Sequence, residues 1–471
     1  MLGIDFDSDL AKMDTNFRSK LDDISNLYNS WQYRHLTPIG RITVIKAMAL
    51  SKLSHVVLVC PYLDKNILKE LTLMSYNFLW KGKPDRMKRC DVVLPYEKGG
   101  LKMPDIAKFW QSLKMSWVRR LMSVDCVWIN VLKLNLMYVN HDMRDIWFGG
   151  PTLLRKISKK LTNVFWSDTI DIFGEIMKEI PFAHPHFFYH QNIFDNDKFA
   201  HNDTELKRYE FPSLWDKNIV QAGDFFDTNC APPRLLSLED LNGKFSLNLD
   251  FLSYHRIQKG IDNAAKEVNY KIYDNTLSDI KLPRLPILFK LGTLQNKGCR
   301  TFYQTLQARE VAKRSTTESE MKWHMALNTT FSVDFWDKCW TLVKGTLLSN
   351  KIKWITLQIL RFILPTNYTV NQYKPGQDPG CSFCKTHPEK LETLLWGCSV
   401  VRDFWVMVGN LISNFYPQFI LRRKEAIFGD VKSEPTSVIN TLLLLSRHFV
   451  WIQKFTSKKL DEVIFINFLK S

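Results

Sequence analysis

The run Thr37-Pro-Ile-Gly-Arg41-Ile-Thr-Val-Ile-Lys46-Ala-Met-Ala-Leu-Ser-Lys52-Leu53 carries the clearest signals of local structure in the chain. Threonine followed by proline is typical of a helix start, because the threonine hydroxyl can accept a backbone hydrogen bond and proline has no amide hydrogen to leave unpaired. After this start, apolar residues recur every three or four positions as far as Val56. That spacing predicts an amphipathic helix.

Helical spacing also surrounds this run. Residues 10–33 have an apolar residue at every third or fourth position, and a further stripe extends from Ile67 to Phe78 before the Gly- and Pro-containing segment 81–84. A fourth helix is predicted to open at Pro104-Asp105, after the Gly99-Gly100 turn. Helical patterns return from residue 291 onward. We therefore predict a mainly α, multi-unit fold with at most a few short strands.

Composition and charge restrict the classes of function. The 471 residues are 45% hydrophobic and 24% charged, which is typical of a globular chain. The net charge is +16, and residues 40–120 alone contain 16 basic and 6 acidic side chains. Such a balance favours polyanionic partners, either nucleic acid or an acidic membrane surface.

Cysteine usage and the apolar runs bear on the cellular compartment. Nine cysteines without regular spacing do not indicate a disulfide scaffold. The chain starts with an acidic segment without a signal-peptide pattern, and the longest apolar candidate, 438–452, is interrupted by Asn440, Arg447 and His448. We expect an intracellular protein, in the nucleus or the cytoplasm, with no membrane partner.

The segment 81–89 is the strongest candidate for a nucleic-acid contact, because five cations in nine residues can follow a phosphate backbone. The neighbouring predicted helices carry further cations. The full set of predicted contacts is Lys81, Lys83, Arg86, Lys88 and Arg89 in the segment, Arg41, Lys46 and Lys52 before it, and Lys114, Arg119 and Arg120 after it. The alternative interpretation is a solvated charged face.

A second candidate site is Cys381-Ser-Phe-Cys384, followed by Cys398 after thirteen residues. Two thiolates at this spacing suit tetrahedral zinc, and Cys398 supplies a third ligand. His387 is a candidate for the fourth ligand, and Glu389 and Glu392 are less natural ones. The alternative is that these cysteines are ordinary turn and core thiols.

Catalytic patterns are missing from the sequence. A polymerase active site needs carboxylates that hold two metal ions. The only adjacent aspartates, Asp22 and Asp23, lie within a predicted helix and not on a strand turn. The motifs of nucleotide-binding P-loops, serine hydrolases and zinc proteases are also missing. We predict no catalytic residues in this chain.

Several segments together resemble LINE-type (non-LTR) retrotransposon reverse transcriptases. They are Leu2-Gly3-Ile4, the run 36–53, Asn77-Phe-Leu-Trp80-Lys-Gly-Lys83, Gly99-Gly-Leu-Lys-Met-Pro104-Asp105, Leu360-Arg-Phe-Ile-Leu-Pro-Thr366-Asn367, Cys381-Ser-Phe-Cys384, Glu392-Thr-Leu-Leu-Trp396-Gly-Cys398 and Phe404-Trp405. These segments follow one another in the order of the family's C-terminal region and cover nearly the whole chain.

The resemblance implies a domain organisation. Residues 1–35 would be the remnant of the end of the reverse-transcriptase domain, with its last strand at the start of the chain. Residues 36–125 would be a helical thumb that grips the template–primer duplex, 126–290 a linking wrist, and 291–471 a C-terminal domain that binds RNA, with a knuckle at 381–398. The family's Tyr-Ala-Asp-Asp-type box and endonuclease lie upstream and are absent here, so the missing polymerase domain is itself a possible partner.

The knuckle departs from the family pattern. The family usually continues C-x-x-C with His-x4-Cys, and counting back from Cys398 places Thr393 at the histidine position. Because a threonine hydroxyl is a poor zinc ligand, the site is either completed by His387 or degenerate. We predict a non-catalytic fragment that binds RNA, DNA or an RNA–DNA duplex. The alternatives are the family's RNA-directed DNA polymerase, an inert truncated relic, and a structural zinc protein with a new role.

Overall fold

A computed structural model describes residues 4–5, 14–60, 65–121, 126–179, 185–202, 204–227, 233–267, 299–300, 302–304, 306–307, 318–344, 349–456 and 459–470. Helices dominate these residues, and the strands among them are the antiparallel pair Phe226–Asp227 and Arg234–Leu235. The mainly α fold predicted from the sequence is therefore confirmed.

The α-helices span Asp14–Gln32, Pro38–Val44, Leu50–Val59, Lys65–Trp80, Arg89–Val92, Ile106–Arg120, Val127–Tyr138, Met143–Phe148, Gly150–Lys160, Val164–Glu179, Pro185–His190, Pro212–Asp216, Leu238–Phe245, Phe251–Glu267, Glu318–Leu327, Val333–Thr341, Asn350–Leu360, Asn367–Tyr373, Ser399–Ser413, Arg423–Phe428, Val438–Thr456 and Glu462–Lys470. Short 3-10 helices span Tyr96–Lys98, Asp197–Phe199, Arg208–Glu210, Ala222–Phe225 and Leu342–Lys344, and π-helical turns span Ile45–Ala49 and Thr393–Gly397.

The chain divides into two compact units, each assembled from three stretches. The first unit comprises Met1–Lys20, Leu53–Lys69 and Ile106–Glu310, and the second comprises Leu21–Lys52, Glu70–Asp105 and Val311–Ser471. The predicted division into four consecutive segments stays a prediction. Apolar periodicity reports which residues are buried, but it does not report which distant stretches share a core.

The first unit contains two apolar clusters. One is formed by the helices from Ile106 to Glu179 and includes Leu132, Leu154 and Phe173. The other lies between residues 188 and 265, where Phe188, Phe199 and other large side chains are fully buried. The sequence pattern of residues 126–290 did not reveal this second cluster, because its elements are short and irregular.

The helix start predicted at Thr37-Pro38 is confirmed in detail, and a second capped start lies at Ser237. Thr37 has an extended backbone, and its hydroxyl accepts a hydrogen bond from the Gly40 amide at 3.3 Å, with Pro38 in the first turn. Ser237 caps Leu238–Phe245, and the Asp240 carboxylate accepts a hydrogen bond from the Ser237 amide. These short polar side chains satisfy amide groups that a helix start leaves unpaired.

The strand predicted at Leu2-Gly3-Ile4 is described only at Ile4. Leu2 and Gly3 lie outside the described residues, and Ile4 and Asp5 are not in a strand, although Ile4 is buried. The backbone of Asp5 pairs instead with the side chain of Asn16, which accepts from its amide and donates to its carbonyl, each at 2.8 Å. An amide side chain thus satisfies the backbone groups that a neighbouring strand would have satisfied.

The Gly99-Gly100 turn is confirmed and has a steric cause. Gly99 has a φ of +73°, and a side chain there would meet the Trp340 ring, while one at Gly100 would lie 2.0 Å from the Leu94 carbonyl. The Arg361 guanidinium donates two hydrogen bonds to the Gly99 carbonyl and pairs with Asp91 at 3.0 Å. The turn is therefore fixed by residues distant in sequence.

One expectation about apolar runs needs correction. Among the described residues, the stretch Pro38–Val59 is long and apolar enough to cross a membrane by length and composition, although Arg41, Lys46 and Lys52 interrupt it. Within its most apolar window, 44% of the residues are buried against the rest of the protein. Helices of a protein core pass the same test, so the stretch is weak evidence for a membrane span.

Candidate nucleic-acid interface and cysteine cluster

The segment Lys81–Arg89, here called the basic loop, begins where the helix Lys65–Trp80 ends. Lys81 and Gly82 both have positive φ angles, and the Gly82 amide donates to the Asn77 carbonyl at 2.9 Å. This bond closes the last helical turn in the manner of a C-terminal cap. The side chain of Met87 is buried and anchors the middle of the loop. The chain therefore turns sharply and holds the loop in place.

All five cations of the basic loop are exposed. Arg89 pairs with Asp85 at 2.8 Å and lies over the Tyr76 ring, and Lys88 lies 3.8 Å from Glu318. Lys81, Lys83 and Arg86 have no carboxylate at ion-pair distance among the described residues. These charges are available to a polyanion, as the sequence interpretation requires.

Arg41 has a different role from the one predicted. Its side chain is 1% exposed, and its guanidinium donates to the carbonyls of Phe78 at 2.6 Å and Gln32 at 3.1 Å. Both carbonyls belong to the last turns of helices, where a cation satisfies unpaired acceptors and the helix dipole. The expectation that Arg41 contacts a phosphate does not fit this placement.

Lys114 is also a structural residue. Its side chain is buried, and the ammonium pairs with Asp168 at 3.6 Å and donates to the Cys60 carbonyl. Burial lowers the pKa of Lys114 more than the Asp168 charge raises it, and burial also raises the pKa of Asp168. The prediction of a nucleic-acid contact at Lys114 does not fit this burial.

The two remaining cations of this helix differ from Lys114. Arg120 is exposed, and its guanidinium lies over the Trp117 ring at 4.8 Å. Arg119 lies in the helix Ile106–Arg120, but its side chain is outside the described part of the structure. Both residues belong to the first unit, whereas the basic loop belongs to the second.

Lys46 and Lys52 remain exposed, as expected. Lys52 lies 4.0 Å from Asp23, and Lys46 lies on the π-helical turn Ile45–Ala49. Partial loss of hydration and, to a smaller extent, the nearby charge of Lys102 lower the pKa of Lys46 to about 8. Lys102 escaped the sequence analysis because it stands alone in the sequence, just after the Gly99-Gly100 turn, and has a φ of +57°.

The three clustered cysteines come together. The sulfur atoms of Cys381, Cys384 and Cys398 all lie within 4.8 Å of one another, and Cys381 and Cys398 are fully buried. Sulfur ligands at about 2.3 Å from one tetrahedral zinc ion are separated by about 3.8 Å. The cluster can therefore hold a metal ion with small adjustments of the thiols, and it provides three of the four positions of such a site.

Hydrogen bonding favours the ionised form of one of these thiols. Burial raises the pKa of Cys384, but hydrogen bonds from Thr386 and from the thiols of Cys398 and Cys381 outweigh it and lower this pKa to about 6. Burial raises the pKa of Cys398 to about 12. The arrangement therefore favours the thiolate form of Cys384, and thiolate is the form that binds metals.

The side chains proposed as a fourth ligand lie elsewhere. His387 is exposed, and its carbonyl accepts a hydrogen bond from the Cys381 amide at 2.8 Å, but its ring is not part of the cluster. Glu392 pairs with Arg423 at 2.6 Å. Thr393 begins the π-helical turn Thr393–Gly397, and its carbonyl accepts from the Cys398 amide.

Glu389 has a structural role that the sequence did not indicate. Its carboxylate is fully buried, forms an ion pair with Lys454, and accepts hydrogen bonds from the amides of Asn367 at 3.0 Å and Ser382 at 2.9 Å. It therefore joins the cysteine-bearing turn to the helices Asn367–Tyr373 and Val438–Thr456. Spacing cannot reveal this role, because the partner Lys454 is 65 residues away.

The adjacent aspartates Asp22 and Asp23 lie on a helix and not on a strand turn, as predicted. Asp22 and Asp23 lie on the helix Asp14–Gln32 and are exposed. Neighbouring residues on a helix point about 100° apart, which does not suit a shared pair of metal ions.

Models of known protein families and curated proteins were both searched, and neither search finds a match for this chain.

Proposed function

We propose that this protein binds nucleic acid without catalysis, mainly through phosphate contacts of the basic loop. The observation that carries the proposal is that all five cations of the loop are exposed, and three of them lack a carboxylate partner among the described residues. The exposed Lys46, Lys52 and Lys102 add charge in the same compact unit. Such contacts recognise RNA, DNA or a hybrid duplex largely independently of base sequence.

The resemblance to the thumb of LINE-type reverse transcriptases supports this proposal, since that region grips a template–primer duplex. It also defines the competing functions. Primer extension by the purified chain would favour a polymerase. Failure to bind RNA, DNA or a hybrid at about 50 mM salt, where electrostatic contacts are strong, would favour an inert relic.

A salt titration of binding, followed by fluorescence anisotropy, tests the proposed interface. Each lost phosphate contact is expected to reduce the slope of log affinity against log salt concentration by about 0.7–0.9. The double variant Lys81→Ala/Lys83→Ala should therefore reduce the slope by nearly twice that amount. The matched control is Lys159→Ala/Lys160→Ala, which removes two exposed lysines from the end of the helix Gly150–Lys160. Equal slopes for the wild type and the loop variant would contradict the proposal.

We also propose that Cys381, Cys384 and Cys398 bind one zinc ion, which would stabilise the turn between the helices Asn367–Tyr373 and Ser399–Ser413. The fourth ligand would be either the His387 ring after a side-chain rotation or a solvent molecule. Three converging thiols support this proposal, and hydrogen bonds favour the thiolate form of one of them, Cys384.

Metal analysis of the purified protein tests the zinc proposal. We expect one zinc ion per chain, lost in Cys381→Ser and retained in Cys90→Ser, which changes an exposed cysteine outside the cluster. His387→Ala distinguishes the two candidates for the fourth ligand, because it weakens zinc binding only if the imidazole coordinates. A protein without zinc, or with zinc that survives Cys381→Ser, would contradict the proposal.

A further inference from the structure

A groove of about 600 Å³ lies between the helix Lys65–Trp80 and the basic loop. Its volume falls within the range of roughly 300–1,000 Å³ that small-molecule sites occupy. Leu73 and Asn77 of the helix and Lys83, Asp85 and Arg89 of the loop contribute to its lining. Phosphate contacts along the loop do not require a groove, so the groove offers room for a second kind of contact.

Arg89 forms a flat platform in this groove. The central carbon of its guanidinium lies 4.5 Å from the centre of the Tyr76 ring, and its Nε atom donates to the Asp85 carboxylate at 2.8 Å. The side chain is nevertheless 45% exposed. A guanidinium held between a ring and a carboxylate loses little further freedom on binding. Such a plane can stack on another planar group, as arginine does on unpaired bases.

The other lining residues favour a neutral planar ligand over a phosphate. Asp85 lines the groove beside Arg89, and its charge offsets part of the positive charge that Lys83 and Arg89 bring to the lining. Leu73 is 48% exposed and offers an apolar wall, and the Asn77 amide offers both a donor and an acceptor for the edge of a base. By contrast, Lys81, Arg86 and Lys88 do not belong to this lining and are exposed on the same loop.

We propose that this groove accommodates an unpaired base of a single-stranded nucleic acid, stacked on the guanidinium of Arg89. The inference rests on the proposed function and names its substrate: a strand whose phosphates contact the basic loop while one base enters the groove. A continuous duplex cannot make this contact, because its bases are already stacked and paired.

The test measures the binding of two nucleic-acid strands to the full-length protein. One is a short single-stranded RNA. The other has the same sugar–phosphate backbone and length but lacks the base at every position. Arg89→Lys keeps the charge and removes the platform. We expect this variant to weaken binding of the base-bearing strand by about tenfold, as the loss of one base stack does, and to leave binding of the abasic strand unchanged.

The matched control is Arg34→Lys, because the Arg34 guanidinium also lies over an aromatic ring, 4.4 Å from the centre of Trp31, but is not part of the groove. This control should bind both strands like the wild type. As a second measurement, a 2-aminopurine base in the strand should lose fluorescence on binding the wild type and retain it on binding Arg89→Lys. Circular dichroism confirms that each variant folds.

The outcomes separate the two proposals. If the wild type binds neither strand nor a duplex, the proposed function itself fails. If the wild type binds the abasic strand as tightly as the base-bearing one, or if Arg89→Lys weakens both equally, nucleic-acid binding stands and the base-binding groove is wrong.

Discussion

The basic loop and the buried cations of the neighbouring helices look alike in sequence and differ completely in structure. Lys81, Lys83 and Arg86 lie in solvent without a carboxylate partner among the described residues. Arg41 and Lys114 are almost inaccessible, and each satisfies backbone carbonyls of the protein itself. A count of positive charges along residues 40–120 therefore overestimates the surface that a polyanion can reach.

Helical position accounts for part of the difference between the buried and the exposed cations. Arg41 stands four residues before Ile45, and Lys114 stands four residues after Trp110, so both cations share a face with buried apolar residues. The basic loop has no helical repeat, and only Met87 points into the protein. The i±4 spacing alone does not identify such cations, because Lys46 stands four residues from both Ile42 and Leu50, which are buried, and is itself exposed.

The largest expected effect concerns the ion pair between Glu389 and Lys454, whose side chains are 0% and 5% exposed. Glu389→Gln leaves the ammonium of Lys454 buried without a countercharge, and we expect a loss of about 3–5 kcal/mol in the free energy of unfolding. Urea denaturation measures this loss. Asp85→Asn provides the contrast on the basic loop, because its pair with Arg89 is partly exposed and should contribute less than about 1 kcal/mol.

The pH dependence of unfolding checks the same pair. Burial raises the pKa of Glu389, but hydrogen bonds from Lys454, Ser382 and Asn367 outweigh it and keep the pKa below its usual value. The ionised Glu389 carboxylate therefore stabilises the folded protein fully above about pH 4.5, the ordinary pKa of a glutamate. This contribution is lost as the pH falls through the lowered pKa of Glu389. Glu389→Gln should remove this part of the acid sensitivity. If the free energy of unfolding of Glu389→Gln falls with acid as steeply as that of the wild type, other carboxylates cause the acid sensitivity.

The sequence predicted local structure well and long-range partners poorly. The Thr37 cap and the four helices predicted between Asp14 and Arg120 depend on neighbouring residues, and they appear as expected. The Gly99-Gly100 turn also appears, although the Trp340 and Arg361 contacts that fix it are distant in sequence. The approach of three cysteines was predicted because their types and spacing suit one metal ion. The Lys46 and Lys102 charges come together only through folding, so their proximity could not be derived from spacing.

A smaller loss of stability is expected when Arg41 is replaced by lysine. The variant keeps the charge but cannot reach the carbonyls of both Phe78 and Gln32 with one ammonium in the same geometry. A hydrogen bond to a charged group contributes roughly 1.5–3 kcal/mol, and we expect a loss of about 2 kcal/mol in urea denaturation. Arg86→Lys, on the exposed loop, should stay within about 0.5 kcal/mol of the wild type. Similar losses in both variants would contradict the assignment of Arg41 as a structural residue.

The smallest effect concerns nucleic-acid binding at Lys46. Its pKa of about 8 means that the free protein loses this charge as the pH rises from 7 to 9. A bound phosphate favours the charged form and raises the pKa, so binding above pH 8 must take up a proton and becomes weaker. We expect the affinity to fall by about threefold to tenfold over this range, measured by fluorescence anisotropy at constant salt.

Lys46→Arg isolates this contribution, because a guanidinium keeps its charge throughout the range. The variant should bind nucleic acid as tightly as the wild type at pH 7. Its affinity should fall much less than that of the wild type as the pH rises to 9. Lys102→Ala should move the decline of the wild type to higher pH, since it removes the neighbouring positive charge that helps to lower the pKa of Lys46. If the pH profile of Lys46→Arg matches that of the wild type, Lys46 does not contact the nucleic acid. The interface is then confined to the basic loop, where every cation is exposed.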